Sequence, residues 1–512
     1  VGIMKRNLIL LPLLLYFYSC ASAQKVVESE KPSEIKTEIS YSEETSLSRL
    51  RDELDQIFSD PNFSNAYWGV VIQSLETGEY FYRLNEHKSF IPASNMKLFT
   101  TAVALVKLGP DFKYKTNVYT DGEIKNGVLN GNLFVRGSGD PTISGRFNNG
   151  DVIKTFKDWA DSLKNLGIKE INGDIIGDDN YFDDQYMGTG WAWDDETYWY
   201  SAHISALSFN DNCVDFEIRP GKKIGDTAIV LLTPNTSYVK VVNRVLTVHR
   251  DSTTQIDFFR IPGTNIINIF GRISLKTGSY KESISIHNPT LYTVTVFKEV
   301  LESKGIRVNG KPIDIDDTNF SPNYDEMKVL ASYESPPLSE IIKVINKRSQ
   351  NFYAEQVFRT LGKIFGGEGS TQKSVEVVKN ALAQMGIAPE SISIYDGSGL
   401  SRLNLVTPFQ ILTLLNYMYR HEYFSYFYES LPIAGVDGTL ETRMRRTKAQ
   451  GNVRAKTGYV QYTRSLSGYV KTIDGELVAF AMMVNNYLVP VSTANMVQDI
   501  VCQRLANFSR TK

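Results

Sequence analysis

Ser94 and Lys97 lie three positions apart, a hydroxyl that can act as nucleophile and an amine that can take its proton. They sit in the stretch Ile91-Pro92-Ala93-Ser94-Asn95-Met96-Lys97-Leu98-Phe99-Thr100. Pro92 fits the first turn of a helix, where a missing N–H costs little. The apolar run 98–106 continues that helix and Gly109-Pro110 stops it. On it Ser94 and Lys97 share a face, and the free backbone N–H groups at the helix start favour negative charge beside the serine. This is the minimum equipment of a serine acyl-transfer enzyme whose base is a lysine.

The spacing alone is weak. Ser-x-x-Lys occurs six times, starting at Ser22, Ser33, Ser94, Ser237, Ser370 and Ser509. Only Ser94 and Ser370 open plausible helices, and Ser94 has the buried apolar continuation. Ser-x-Asn occurs at Ser208, Ser321 and Ser349, and Lys-Thr-Gly at Lys276 and Lys456. Context separates the copies. Ser349 lies in a helical region that can face the Ser94 helix, whereas Ser321 sits in a polar, proline-containing loop. Lys456 begins in a strand whose neighbours form a C-terminal antiparallel sheet. Lys276 lies in a β-rich stretch, with a turn after it. His87, His203, His249, His287 and His421 show no Ser-His-Asp setting, and there is no His-x-x-x-His for a zinc peptidase.

The elements that must position these residues follow from the patterning. A helix is expected at 46–58, a hairpin from strands 68–75 and 79–85, and then the Ser94 helix. Strand-like segments at 113–135, a helix at 152–166 and an acidic, aromatic loop at 178–200 come next. Residues 214–285 read as short Val-, Ile- and Thr-rich strands, and 291–304 as a helix. Helices return at 338–362 (one or two, with Ser349 inside or between them), 370–385 and 409–418. Strands at 453–459, 465–472 and 476–484 precede a closing helix at 492–505. The fold class is α+β. At 512 residues two or three domains are expected. A formal net charge of -2 without a basic tract gives no nucleic-acid surface. Lys5-Arg6, an apolar stretch too short to anchor and Ala21-Ser22-Ala23 read as an export signal. Lipidation at Cys20 is the lesser alternative. Cys213 and Cys502 read as two free, buried thiols.

The order Ser94, Ser349, Lys456 resembles the triple signature of the penicillin-recognising serine enzymes. The long gap from Lys97 to Ser349, with the export signal, looks like the D-alanyl-D-alanine carboxypeptidase/endopeptidase family, the class C low-molecular-mass penicillin-binding proteins. The resemblance covers about residues 58–505 and includes the stretches 131–141, 205–212 and 396–401. It implies a β-lactamase/transpeptidase-like domain, an antiparallel sheet flanked by helices, with an inserted mixed domain that itself carries a small β-rich domain. The expected division is a signal peptide at 1–23, catalytic domain at 24–110 and 326–512, inserted domain at 111–213 and 286–325, and β-rich domain at 214–285.

The same resemblance implies the site roles. Ser94 is the nucleophile, Lys97 the base and Ser349 a proton relay, with Asn351 binding Lys97 or the substrate amide. Positive charge on Lys456 and desolvation are expected to depress the Lys97 pKa. Lys456 and Thr457 bind the terminal carboxylate, Gly458 lets substrate lie along its strand, and the N–H groups of Ser94 and Tyr459 form the oxyanion hole. An aspartate of the acidic loop, Asp183 or Asp184, holds the amino group of a diamino acid in the stem peptide. No cofactor or metal is expected. Peptidoglycan stem peptides and β-lactams are the expected partners, in the periplasm, with peripheral membrane association a secondary expectation and oligomeric state undetermined. A secreted serine β-lactamase and a non-catalytic cell-wall binding protein of the same fold are the rival readings.

Overall fold

The structure is a computed structural model and describes residues 45–511. The export signal, Cys20 and the leader lie outside the described residues.

The strand Leu477–Asn485 shows how the catalytic half is built. All nine of its residues are buried, because it is covered on both faces. Val478, Phe480, Met482 and Val484 point to one core, shared with Leu50 and Leu54 of the helix Ser46–Phe58 and with Val501 and Leu505 of the helix Val491–Asn507. Ala479, Ala481 and Met483 point the other way, toward Phe99, Leu105, Ile341 and Leu412. The period-2 alternation of a strand therefore survives inside a continuous apolar run. Five strands pair antiparallel in the order Arg454–Val460, Thr463–Lys471, Leu477–Asn485, Tyr67–Ser74, Tyr80–Leu84. The early hairpin thus docks beside the last three strands, which brings the Ser94 and Lys456 segments together.

The helix Met96–Leu108 runs through the middle of the helical layer. Met96 to Leu105 are all buried, which fits a helix apolar on every side except at Lys97 and two threonines. Around it pack Leu338–Lys347, Asn351–Gly366, Thr371–Gln384 and Pro408–Arg420. The region 338–362, expected as one or two helices, is two, with Ser349 between them and left-handed at a φ of 57°.

Between the Ser94 and Ser349 segments lies a mixed sheet in the order Pro312–Asp314, Ile175–Asp178, Leu133–Arg136, Lys115–Thr120, Lys328–Glu334. The last of these strands pairs antiparallel with Lys115–Thr120, so this sheet extends to Glu334. The segment 214–285 forms most of two three-stranded sheets. One hydrophobic cluster runs unbroken from Trp159 and Phe297 on the helices Lys154–Asn165 and Pro289–Ser303 to Phe216, Phe258 and Ile269 in those sheets. The β-rich segment therefore shares its core with the region that carries it. Cys213 and Cys502 are both buried and free. No helix among the described residues is long and apolar enough to cross a membrane.

Candidate active site

Ser94 sits in a 3-10 turn, Ala93–Asn95, at the foot of the helix Met96–Leu108. Two glycines clamp that turn. A Cβ on Gly458 would lie 2.0 Å from Ser465 Oγ, 2.7 Å from Pro92 O and 3.1 Å from Ser94 N. A Cβ on Gly399 would lie 1.9 Å from Ala93 O, and Gly399 itself has a φ of 84°. The space where a Gly458 Cβ would sit is taken by the protein, where the strand presses against the nucleophile's turn. Asn95 Nδ2 donates to Lys456 O at 3.0 Å, and Ser465 Oγ donates to Pro92 O at 2.7 Å, which fixes the same approach.

Lys97 is fully buried. Its Nζ lies 2.9 Å from Ser94 Oγ, 2.6 Å from Asn351 Oδ1 and 2.6 Å from the carbonyl oxygen of Ser398. Asn351 Nδ2 donates to Tyr200 O at 2.7 Å, so the amide's orientation is set and its oxygen faces the lysine. Burial pushes the Lys97 amine down to about 7, although the Asp396 and Glu355 charges pull it up. Of the two causes expected from sequence, burial is the one that depresses Lys97. Repulsion between the two lysines falls on Lys456, which burial first and Lys97 second hold well below its ordinary value.

The two acceptors opposite Ser94 decide what a neutral Lys97 does. A neutral amine has two hydrogens and one lone pair. Asn351 Oδ1 and Ser398 O can only accept, so they take both hydrogens. The lone pair is left for the hydroxyl hydrogen of Ser94. The loop that supplies the Ser398 carbonyl is itself held by buried carboxylates. Ser398 N donates to Glu355 Oε1 at 2.7 Å, and Gly399 N and Ser401 N donate to Asp396 at 2.7 and 2.6 Å. Glu355 is one helical turn beyond Asn351 on the helix Asn351–Gly366. Neither Glu355, Asp396 nor Ser398 was singled out for a role from sequence, although the loop at 396–401 was noticed and the four-residue spacing of Asn351 and Glu355 was there to find.

Lys456 Nζ donates to Ser349 Oγ at 2.9 Å and to Thr457 O at 2.8 Å. Thr457 Oγ1 donates to Thr439 Oγ1 at 2.7 Å. Lys456 and Thr457 lie on the edge strand of the sheet, and Tyr459 is half exposed beside them with the Arg464 guanidinium over its ring. The structure thus forms two hydrogen-bonded groups, Ser94–Lys97–Asn351 and Ser349–Lys456, tied by the Asn95 side chain to the backbone of Lys456, with Thr457, Gly458 and Tyr459 following on the same strand.

The acidic loop divides. Arg359, fully buried, donates to Asp183, to Gly369 O and to Gln185 O, so Asp183 is a structural ion pair. Asp184 is exposed, and the carboxylate that feels it is Asp316. Asp195 is tied to the site indirectly, through Tyr200. It accepts from Tyr200 OH at 2.9 Å, while Tyr200 O holds Asn351. Burial raises its carboxyl, and Arg402 nearby opposes this. Trp191 Nε1 donates to Asp396 Oδ2 at 2.9 Å and fastens the same loop to the catalytic half. Asp179, Asp314 and Asp316 bring carboxylate oxygens within 4.8 Å of one another. Their hydrogen bonds go to Ser205, Thr290, Asn288 and the backbone of Asp316, away from the Ser94 chain.

Residues 50–507 match the family described as D-Ala-D-Ala carboxypeptidase 3 (S13). The chain belongs to that family. It is 33% identical over 480 residues to a D-alanyl-D-alanine carboxypeptidase of an Actinomadura species, covering 90% of this chain and 85% of that one. It is 29% identical over 455 residues to D-alanyl-D-alanine carboxypeptidase DacB of Haemophilus influenzae, covering 88% and 90%. The crystal structure of penicillin binding protein 4 (dacB) from Haemophilus influenzae superposes with a TM-score of 0.77 at 27% identity, covering 89% of this chain and 99% of that one. The same Haemophilus protein complexed with a β-lactam gives 0.71 at 26% identity, covering 89% and 98%. The protein is a serine-type D-Ala-D-Ala carboxypeptidase/endopeptidase acting on peptidoglycan, with the α+β fold of that family.

Proposed function

We propose that this enzyme works by acyl transfer through Ser94, with neutral Lys97 as the base. The observation that carries the reading is the trio of atoms around Lys97 Nζ: two pure acceptors and the Ser94 hydroxyl. Ser94 Oγ attacks the carbonyl between two D-alanines, and its proton passes to Lys97 Nζ. The C–N bond then breaks. Ser349, held by Lys456, relays a proton to the departing amine, and water hydrolyses the ester on Ser94. The close packing of Gly458 on Ser94 N supports an oxyanion hole from the N–H groups of Ser94 and Tyr459. Lys456 and Thr457 take the terminal carboxylate, and the edge strand offers its backbone to an extended peptide.

Asp195 replaces Asp184 as the residue we assign to the amino group of a diamino acid in the stem. Its place beside Tyr200 and Arg402 supports this. We further assign an exported, periplasmic location, β-lactams as inhibitors that acylate Ser94, and an insertion within an insertion as the domain plan. The test is intact mass after brief exposure to penicillin, beside S94A. A lasting gain of one penicillin, absent in S94A, is expected. Fast drug hydrolysis with no adduct would instead make the protein a β-lactamase, and neither adduct nor hydrolysis would make it a binding protein of this fold.

A further inference from the structure

We propose that Asp211 is a positioning residue for the second motif, holding Ser349 and Asn351 in place through Gln350. The proposal rests on the proton-relay role given to Ser349 above. Ser349 has a left-handed backbone, although it is neither Gly, Asn nor Asp. Such a conformation persists only when the surroundings over-determine it. The two residues that follow supply the hold, and both reach into the inserted region. Asn351 Nδ2 donates to Tyr200 O at 2.7 Å, and Gln350 Nε2 donates to Asp211 Oδ2 at 3.0 Å. Gln350 is 2% exposed, and its amide oxygen has no partner, so the bond to Asp211 fixes that side chain.

Asp211 is mounted rigidly for this. Its Oδ2 also accepts from Arg146 Nε at 2.9 Å and Nη2 at 2.6 Å. Asn210, Asp211 and Asn212 are all left-handed, with φ of 49°, 54° and 54°. Asn and Asp are the residue types that tolerate this. Asn210 Nδ2 donates to Cys213 O and to Asp215, and Asn212 Nδ2 donates to His203 O and Ser208 Oγ, so the turn is pinned on both sides. A displacement of Ser349 by about 1 Å is enough to cost about 10²-fold in rate. The inserted region thereby becomes a requirement for proton transfer.

The experiment compares Q350A, D211A, D211N and the Q350A/D211A double variant with S349A and the unaltered enzyme. Each is normalised to the sites that a covalent penicillin titrates, so unfolded protein does not count. Expected are losses of kcat on a D-Ala-D-Ala peptide of up to about 10²-fold in Q350A and D211A with KM unchanged. D211N, whose amide oxygen still accepts from Gln350, is expected to recover most of the rate. The double variant is expected to lose no more than either single one. An unaltered kcat in Q350A, or losses that multiply in the double variant, would overturn the proposal even if D211A failed to fold. An unaltered kcat in S349A would overturn the role of Ser349 itself, a separate result.

Discussion

Ser94-x-x-Lys97 and Ser370-x-x-Lys373 are the same motif at the start of two helices, and they do opposite things. Ser370 is a helix cap: its Oγ accepts from Lys373 N at 3.3 Å at the head of Thr371–Gln384. Lys373 is partly exposed, pairs with Glu376 at 2.8 Å, and its amine is held above the ordinary value by that bond. Lys97 is sealed from water and held down to about 7. Spacing puts a lysine near a serine; burial turns the lysine into a base. The two Lys-Thr-Gly copies differ in the same way. A Cβ on Gly278 would meet nothing within 4 Å, whereas one on Gly458 would strike Ser465, Pro92 and Ser94.

Each contrast can be broken by substitution. K97A should lower the rate of acylation by penicillin by about 10²–10⁴-fold, the usual worth of a general base. K373A should leave that rate unchanged, and a matching loss there would end the comparison. G458A should cost about 1–3 kcal/mol of stability through overpacking and should slow acylation, because the Ser94 turn must shift. G278A should stay within about 0.5 kcal/mol by thermal unfolding. D195N should raise KM for a stem peptide carrying a free amino group by about tenfold, the loss of one hydrogen bond to a charge. D184N should not, and the reverse order would restore the expectation from sequence. S370A should cost about 1 kcal/mol as a lost helix cap and leave activity alone.

How much could be read from sequence follows from what each residue depends on. The Ser94, Ser349 and Lys456 copies were separable from their duplicates because each carries its context beside it: an apolar helix, a helical neighbourhood, a sheet-forming strand. Asp195 was not separable. The acidic loop holds Asp183, Asp184, Asp194, Asp195 and Glu196 with no period to rank them, and the assignment proposed for Asp195 rests on contacts through space, Tyr200 with Asp195 and Arg359 with Asp183. The packing of Gly458 was not legible for a related reason, since its missing Cβ faces the turn at Pro92 and Ser94, far away in sequence. The pairing of Lys328–Glu334 with Lys115–Thr120 has no local sequence signal, because it is fixed only by sheet closure.

Burial makes Lys97 a neutral base near physiological pH. This is tested most directly by following the lysine side-chain resonances of the folded enzyme by NMR as pH is raised, with K97R to assign the signal. The account predicts that Lys97 loses its proton with a midpoint of about 7, and that the rate of penicillin acylation rises over the same range. A Lys97 that stays charged beyond pH 9, with acylation already at full rate, would contradict it.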